Sequence, residues 1–145
     1  MCVSQIAKRL VESLRYLDCH PIGEDTFETI RESYQELYIP LLLNSSLAAI
    51  RSSNKSTASA TIAITNTTRA INQFPLKPAD EAKAYYRRAL ARLQMKDEDK
   101  AEEALIKASK LAPEDKAIAA ELGKIKAAQK EQRERQKKAM KKLFA

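Results

Sequence analysis

Residues 83–89 read KAYYRRA and set Lys83 and Arg87 one helical turn apart, with Arg88 beside them. Like charges at that spacing repel by roughly a few tenths of a kcal/mol, so an isolated helix gains nothing by holding them together. Two cations side by side have a recurring use: they donate charge-assisted hydrogen bonds to an anion, which relieves their repulsion. That is binding chemistry. A solvated helical face with Glu81 nearby would tolerate the same pair, and the spacing alone does not separate the two readings. No other group of residues pairs a nucleophile with a base, clusters metal ligands or forms a phosphate loop, so no catalytic site, metal site or cofactor is expected. His20 precedes Pro21 without partners of that kind and is assigned no role. Cys2 and Cys19 lack the spacing of a disulfide framework or metal site and read as two reduced thiols.

The chain has 145 residues, of which 44% are apolar, enough for one domain with a core, but it contains only two glycines and no tryptophan. Ala, Leu, Lys, Glu and Arg dominate, which favours an all-α fold; TASATIAITNTT is the one stretch that could also read as strand. No apolar run reaches bilayer length and no leader pattern opens the sequence, so a soluble cytoplasmic chain is expected. The net charge of +7 is placed unevenly: residues 116–145 hold ten basic and three acidic side chains, against 16 of each in residues 1–115. A positive site in the body must therefore be built locally.

An internal repeat supplies the elements that would position such a site. Ala101, Leu105, Ala108 and Pro113 recur at an offset of 38 as Ala63, Thr67, Ala70 and Pro75. Small residues at these positions with a closing proline match the second helix of a tetratricopeptide (TPR) unit. The usual period is about 34 residues, and NQFPLKPADEAK is expected to hold the additional loop. The first helix of the later unit should run from about Asp80 to Gln94, with Asp80 and Glu81 at its positive end. LLLNSSLAAI (41–50) should precede the helix around 60–73, across an enlarged loop RSSNKSTAS. Phe27, Ile30, Tyr34, Leu37 and Tyr38 share one face of an earlier helical stretch, and Pro40 either kinks one long helix or separates two. Val3, Ile6, Leu10, Leu14 and Leu17 form a stripe on a helix of about residues 3–18, like a second helix whose first is missing. After Pro113 a further helix begins at Glu114 and Asp115; Ile118, Leu122 and Ile125 should cap the array, and the stretch from Lys126 to Ala139 should be solvated. The expected division is an array over 1–113 (a truncated repeat 1–20, a second repeat 24–75, a third 80–113) and a basic C-terminal helix over 114–145.

SLRYLD (13–18), LLLNSSL (41–47), KAYYRRA (83–89), LAPEDKAIAAELGKIK (111–126) and the terminal MKKLFA, taken in that order, resemble the C-terminal TPR half of the large cyclophilins of the cyclophilin-forty type, in their fungal form. The likeness covers nearly the whole chain. It implies an all-α TPR helical-hairpin array with a long C-terminal capping helix. Members of this family also carry an N-terminal peptidyl-prolyl isomerase barrel, and nothing in this sequence matches it, so a non-catalytic co-chaperone module is expected. The partner that the resemblance implies is the acidic C-terminal peptide Met-Glu-Glu-Val-Asp of the ninety-kilodalton heat-shock chaperone.

In that family a carboxylate clamp lies on the concave face of the first helices of the repeats. Carried over by position, it falls on Lys83, Arg87 and Asn44. Lys83 and Arg87 would bind the aspartate side chain and neighbouring acceptors, and Asn44 the terminal carboxylate. Arg88 reads as a salt-bridging or core-edge residue, and Tyr85 and Tyr86 as packing residues. A Lys and an Asn of the family's first repeat have no counterpart in this chain. At about 1.5 to 3 kcal/mol per charge-assisted bond, their absence costs roughly 3 to 6 kcal/mol, or about two to four decades of affinity, so weak peptide binding is expected. The N-terminal stripe, lacking its partner helix, suggests self-association. The basic helix, with Met140, Leu143 and Phe144 at its tip, is an alternative site for calmodulin or an acidic chaperone surface. Interleaved Glu and Gln argue against nucleic acid, and no membrane association is expected.

Overall fold

A computed structural model describes residues 3–20, 28–52 and 56–143. Its described residues form an all-α array of helical hairpins: α1 (Val3–Cys19), α2 (Glu28–Ile50), α3 (Thr57–Gln73), α4 (Pro78–Gln94), α5 (Glu98–Leu111) and α6 (Lys116–Leu143). Each helix packs on the next in the chain, and α2 also touches α4.

Local signals account for the helix ends. The Ser56 side chain caps α3 by accepting from the Ser59 amide at 3.2 Å. Pro78 opens α4, where a missing N–H costs nothing and Asp80 and Glu81 meet the positive end of the helix. At the other end of α4, Lys96 adopts a left-handed φ of 59°. The amide of Lys96 then donates to the Leu93 carbonyl and that of Asp97 to the Arg92 carbonyl, both at 3.0 Å, closing the helix in a Schellman motif without glycine.

Packing follows the small-residue repeat. Ala63, Thr67 and Ala70 on α3, and their offset counterparts Ala101, Leu105 and Ala108 on α5, are all fully buried. Ala82, Ala84, Ala89 and Ala91 on α4 are buried as well, so backbones approach closely where methyl groups replace larger side chains. One cluster joins α4 and α5 to Ile118 and Ile125 of α6, with Tyr85, Tyr86 and Leu122 packed against it. A second gathers Leu14, Tyr38, Leu42, Leu43, Ala70 and Ala84.

Several expectations need correction. TASATIAITNTT (57–68) is helix throughout, because the Ser56 cap starts α3 at Thr57 and shortens the loop read there. All of the ADEAK portion of NQFPLKPADEAK belongs to α4, which leaves only residues 74–77 as the link after α3 and not an extended loop. Pro40 lies inside the single helix α2. The stripe of α1 has a partner: Leu14 is buried and Leu17 packs against the second cluster, while Ile6 and Val11 stay exposed. Cys2, Phe27 and Phe144 lie outside the described residues.

A polar staple ties α1 to α2 and α3. Arg69 grips the Asp18 carboxylate through two nitrogens, Nη2 to Oδ1 at 2.7 Å and Nη1 to Oδ2 at 3.0 Å. The Tyr38 hydroxyl donates to the same carboxylate, the Arg69 guanidinium lies 5.2 Å from the Tyr38 ring centroid, and the Tyr34 hydroxyl donates to the Leu17 carbonyl. At the other end of the molecule, Gln129 donates to Glu102 at 2.7 Å, and from Lys130 to Leu143 helix α6 is exposed on all sides.

Candidate functional site

Helices α2 and α4 run side by side in the same direction. The Arg87 guanidinium donates to the Leu43 carbonyl and the Gln94 amide to the Ile50 carbonyl, 2.9 Å away, both across a sequence separation of 44. This register sets Arg87 level with Leu43 and Asn44, and Lys83 level with Ile39 and Pro40. Between the two helices lies a cavity of about 680 Å³. Its α2 wall is one helical stripe, Glu32, Gln35, Glu36, Ile39, Pro40, Leu43 and Asn44, at the three- and four-residue spacing of a single face. Its α4 wall carries Lys77, Asp80, Lys83 and Arg87, with Pro75 from the preceding link.

Asn44, Lys83 and Arg87 therefore line one cavity. Asn44 is exposed, so its amide is free to turn towards a ligand and is not the buried structural amide that its Leu-rich neighbourhood also allowed. Lys83 is mostly exposed and makes an ion pair with Asp80 at 3.0 Å, one turn back on the same helix. Such a surface pair contributes at most about 1 kcal/mol, so an incoming anion displaces Asp80 at small cost. Arg87 is only partly exposed. Burial pulls its pKa down, the nearby Arg51 charge adds to that, and Asp80 opposes it. A guanidinium held against desolvation and a like charge is one that an anion stabilises. Its bond to Leu43 uses one of five N–H groups, which leaves donors for a carboxylate.

Arg88 faces away from this cavity: its guanidinium sits 4.9 Å from the Tyr85 ring centroid. Arg92 pairs with Asp97 at 3.0 Å. Tyr85 and Tyr86 pack against the α4–α5–α6 cluster. Reading the sequence did not single out Lys77, Asp80, Glu32 or Glu36 as residues of the site. The spacing of Glu32 and Glu36, an acidic pair one turn apart, mirrors that of Lys83 and Arg87 and was the available signal.

The described residues contain no helix long and apolar enough to cross a membrane, and no group of His, Cys, Asp and Glu placed to hold a metal ion.

The chain matches no family model. Two curated proteins from strains of Cryptococcus neoformans, each named peptidyl-prolyl cis-trans isomerase D, are 34% identical to it over 135 residues, covering 92% of this chain and 36% of the relative. A protein of the same name from Mycosarcoma maydis is 35% identical over 125 residues, covering 77% of this chain and 31% of the relative. Over most of its length, this chain is thus similar to proteins named peptidyl-prolyl cis-trans isomerase D, and it spans about a third of the length of those relatives.

Proposed function

We propose that the chain is a cytoplasmic co-chaperone interaction module of the tetratricopeptide class, which holds the acidic C-terminal peptide Met-Glu-Glu-Val-Asp of the ninety-kilodalton heat-shock chaperone through a partial carboxylate clamp of Asn44, Lys83 and Arg87. One observation carries this reading: three residues from two helices, far apart in sequence, line the same cavity, and two of them are cations. Lys83 and Arg87 offer charge-assisted donors to the aspartate and its neighbours, and Asn44 offers an amide to the terminal carboxylate. The similarity to isomerases D adds the family context, and the all-α architecture supplies no barrel for isomerase chemistry among the described residues.

The test is calorimetric titration of the pentapeptide into the chain and into Lys83→Ala and Asn44→Ala variants, both at exposed positions. Weak saturable binding that falls about tenfold on removing one charge-assisted bond is expected for Lys83→Ala. Absence of saturable binding, or equal affinity in all three proteins, overturns the reading. Arg87→Ala is the poorer probe, because it also removes the bond to Leu43 that joins α2 to α4.

A second reading is favoured by the solvated end of α6, where Met140 and Leu143 are exposed among Lys137, Lys138, Lys141 and Lys142. In it the chain is a scaffold that engages calmodulin or an acidic chaperone surface through that helix, or self-associates through α1, where Ile6 and Val11 remain uncovered. A monomeric mass at high micromolar concentration by light scattering overturns the self-association.

A further inference from the structure

The cavity between α2 and α4 is not uniformly basic. Arg87, Lys83 and Asn44 occupy one end; Glu36 and Glu32 continue the α2 stripe towards the other. The α2–α4 register of 44 sets Asp80 level with Glu36 and Lys77 level with Glu32 and its neighbour. Asp80 is already engaged by Lys83, and Lys77 is, among the described residues, the one further cation lining the cavity at that end against Glu32 and Glu36, so the far end keeps an excess of negative charge. Neither Glu32 nor Glu36 has an ion-pair partner among the described residues, and both are exposed. Two carboxylates one turn apart repel as the lysine and arginine opposite do, and a cation relieves them.

We infer that the groove selects C-terminal peptides by charge at both ends, taking a terminal carboxylate at Asn44, Lys83 and Arg87 and a lysine or arginine a few residues upstream, against Glu36 and Glu32. The inference rests on the carboxylate anchoring proposed above. The helical rise puts Glu36 about 12 Å and Glu32 about 18 Å along α2 from Asn44. An extended peptide advances about 3.3 Å per residue. A chain lying along the groove therefore brings residues about four and about six places before its end beside the two glutamates. In Met-Glu-Glu-Val-Asp the residue four places before the aspartate is the uncharged methionine and none lies six places before it, so the pentapeptide leaves this end of the groove unmatched. Glu32 and Glu36 are then specificity-determining residues that discriminate against continuous acidic tails.

The probes are three octapeptides ending in Val-Asp with a free carboxylate, carrying Lys, Ala or Glu at both the positions four and six places before the terminal residue, titrated at low salt. A fourth probe is the Lys peptide with an amidated terminus. The Lys peptide should bind about threefold to tenfold more tightly than the Glu peptide, as screened, exposed ion pairs give. The Glu32→Lys/Glu36→Lys variant should reverse that order, and amidation should weaken binding in both proteins. Equal affinities for the Lys and Glu peptides, or an order that the charge reversal leaves unchanged, overturn the inference while leaving carboxylate anchoring intact. Binding indifferent to amidation, or no binding of any probe, overturns the anchoring and the inference together.

Discussion

Asp18 shows how much of this molecule depends on pairs that are distant in sequence. Its carboxyl is held below the usual range first by the hydrogen bond from Arg69, with the Tyr38 hydroxyl adding and burial opposing; Arg69 is shifted up by the same pair, so the two directions agree. Burial, and then the bond to Asp18, push the Tyr38 phenol up. Because the folded carboxyl titrates below its ordinary value of 3.8, the staple's contribution is complete above that pH and is lost as pH falls further, through the folded pKa. Asp18 and Arg69 are each about a third exposed, which limits the ion pair to about 1 kcal/mol. Asp18→Asn should therefore lower stability to urea by about that amount at pH 7, and the gap to the parent should close below pH 3.8. An unchanged midpoint at pH 7 would show that the staple is idle. The sequence could not reveal this pair, since 51 positions separate its members. The same holds for the far end of the groove: Glu32 and Lys77 come to line one cavity only through the α2–α4 packing, whereas Lys83 and Arg87 lie one turn apart on one helix and could be read directly.

At the scale of elements, periodicity made the later half of the chain legible. Ala101, Leu105 and Ala108 recur in Ala63, Thr67 and Ala70, and close helix approach requires small residues at those positions. Loops were read less well, because a run of Ser and Asn is both a loop signal and a capping signal; at Ser56 it is a cap. Helix α6 combines two behaviours that its sequence separates cleanly. Ile118 and Ile125 are buried against α5, and beyond Gln129 the helix is exposed, polar up to its apolar tip at Met140 and Leu143. Ile118→Ala should cost about 2 to 4 kcal/mol through lost burial and the cavity left behind. Ending the chain after Lys130 should change stability by less than about 0.5 kcal/mol, since only solvated surface is removed. Thermal unfolding of both variants checks this, and a large loss on truncation would mean that the exposed end of α6 packs on the body.

Over the whole molecule, the charge division separates two modes of association that share one chain. Residues 1–115 are balanced at 16 charges of each sign, and the last 30 residues carry the entire excess. Peptide capture in the α2–α4 groove draws on few cations, partly desolvated at Arg87, whereas an acidic partner at the end of α6 meets Lys137, Lys138, Lys141 and Lys142 in open solvent. Screening acts mainly on exposed charges, with a Debye length of about 10 Å at 0.1 M salt and about 30 Å at 0.01 M. Raising salt from about 0.01 M to 0.15 M should thus weaken association through α6 much more than association in the groove. Truncation after Lys130 should abolish the steep component and leave peptide affinity unchanged. Titrating the pentapeptide and calmodulin into both lengths of the chain distinguishes the modes. If peptide binding shows the steeper salt dependence and disappears on truncation, the anion site lies on α6 and the clamp reading of Asn44, Lys83 and Arg87 fails.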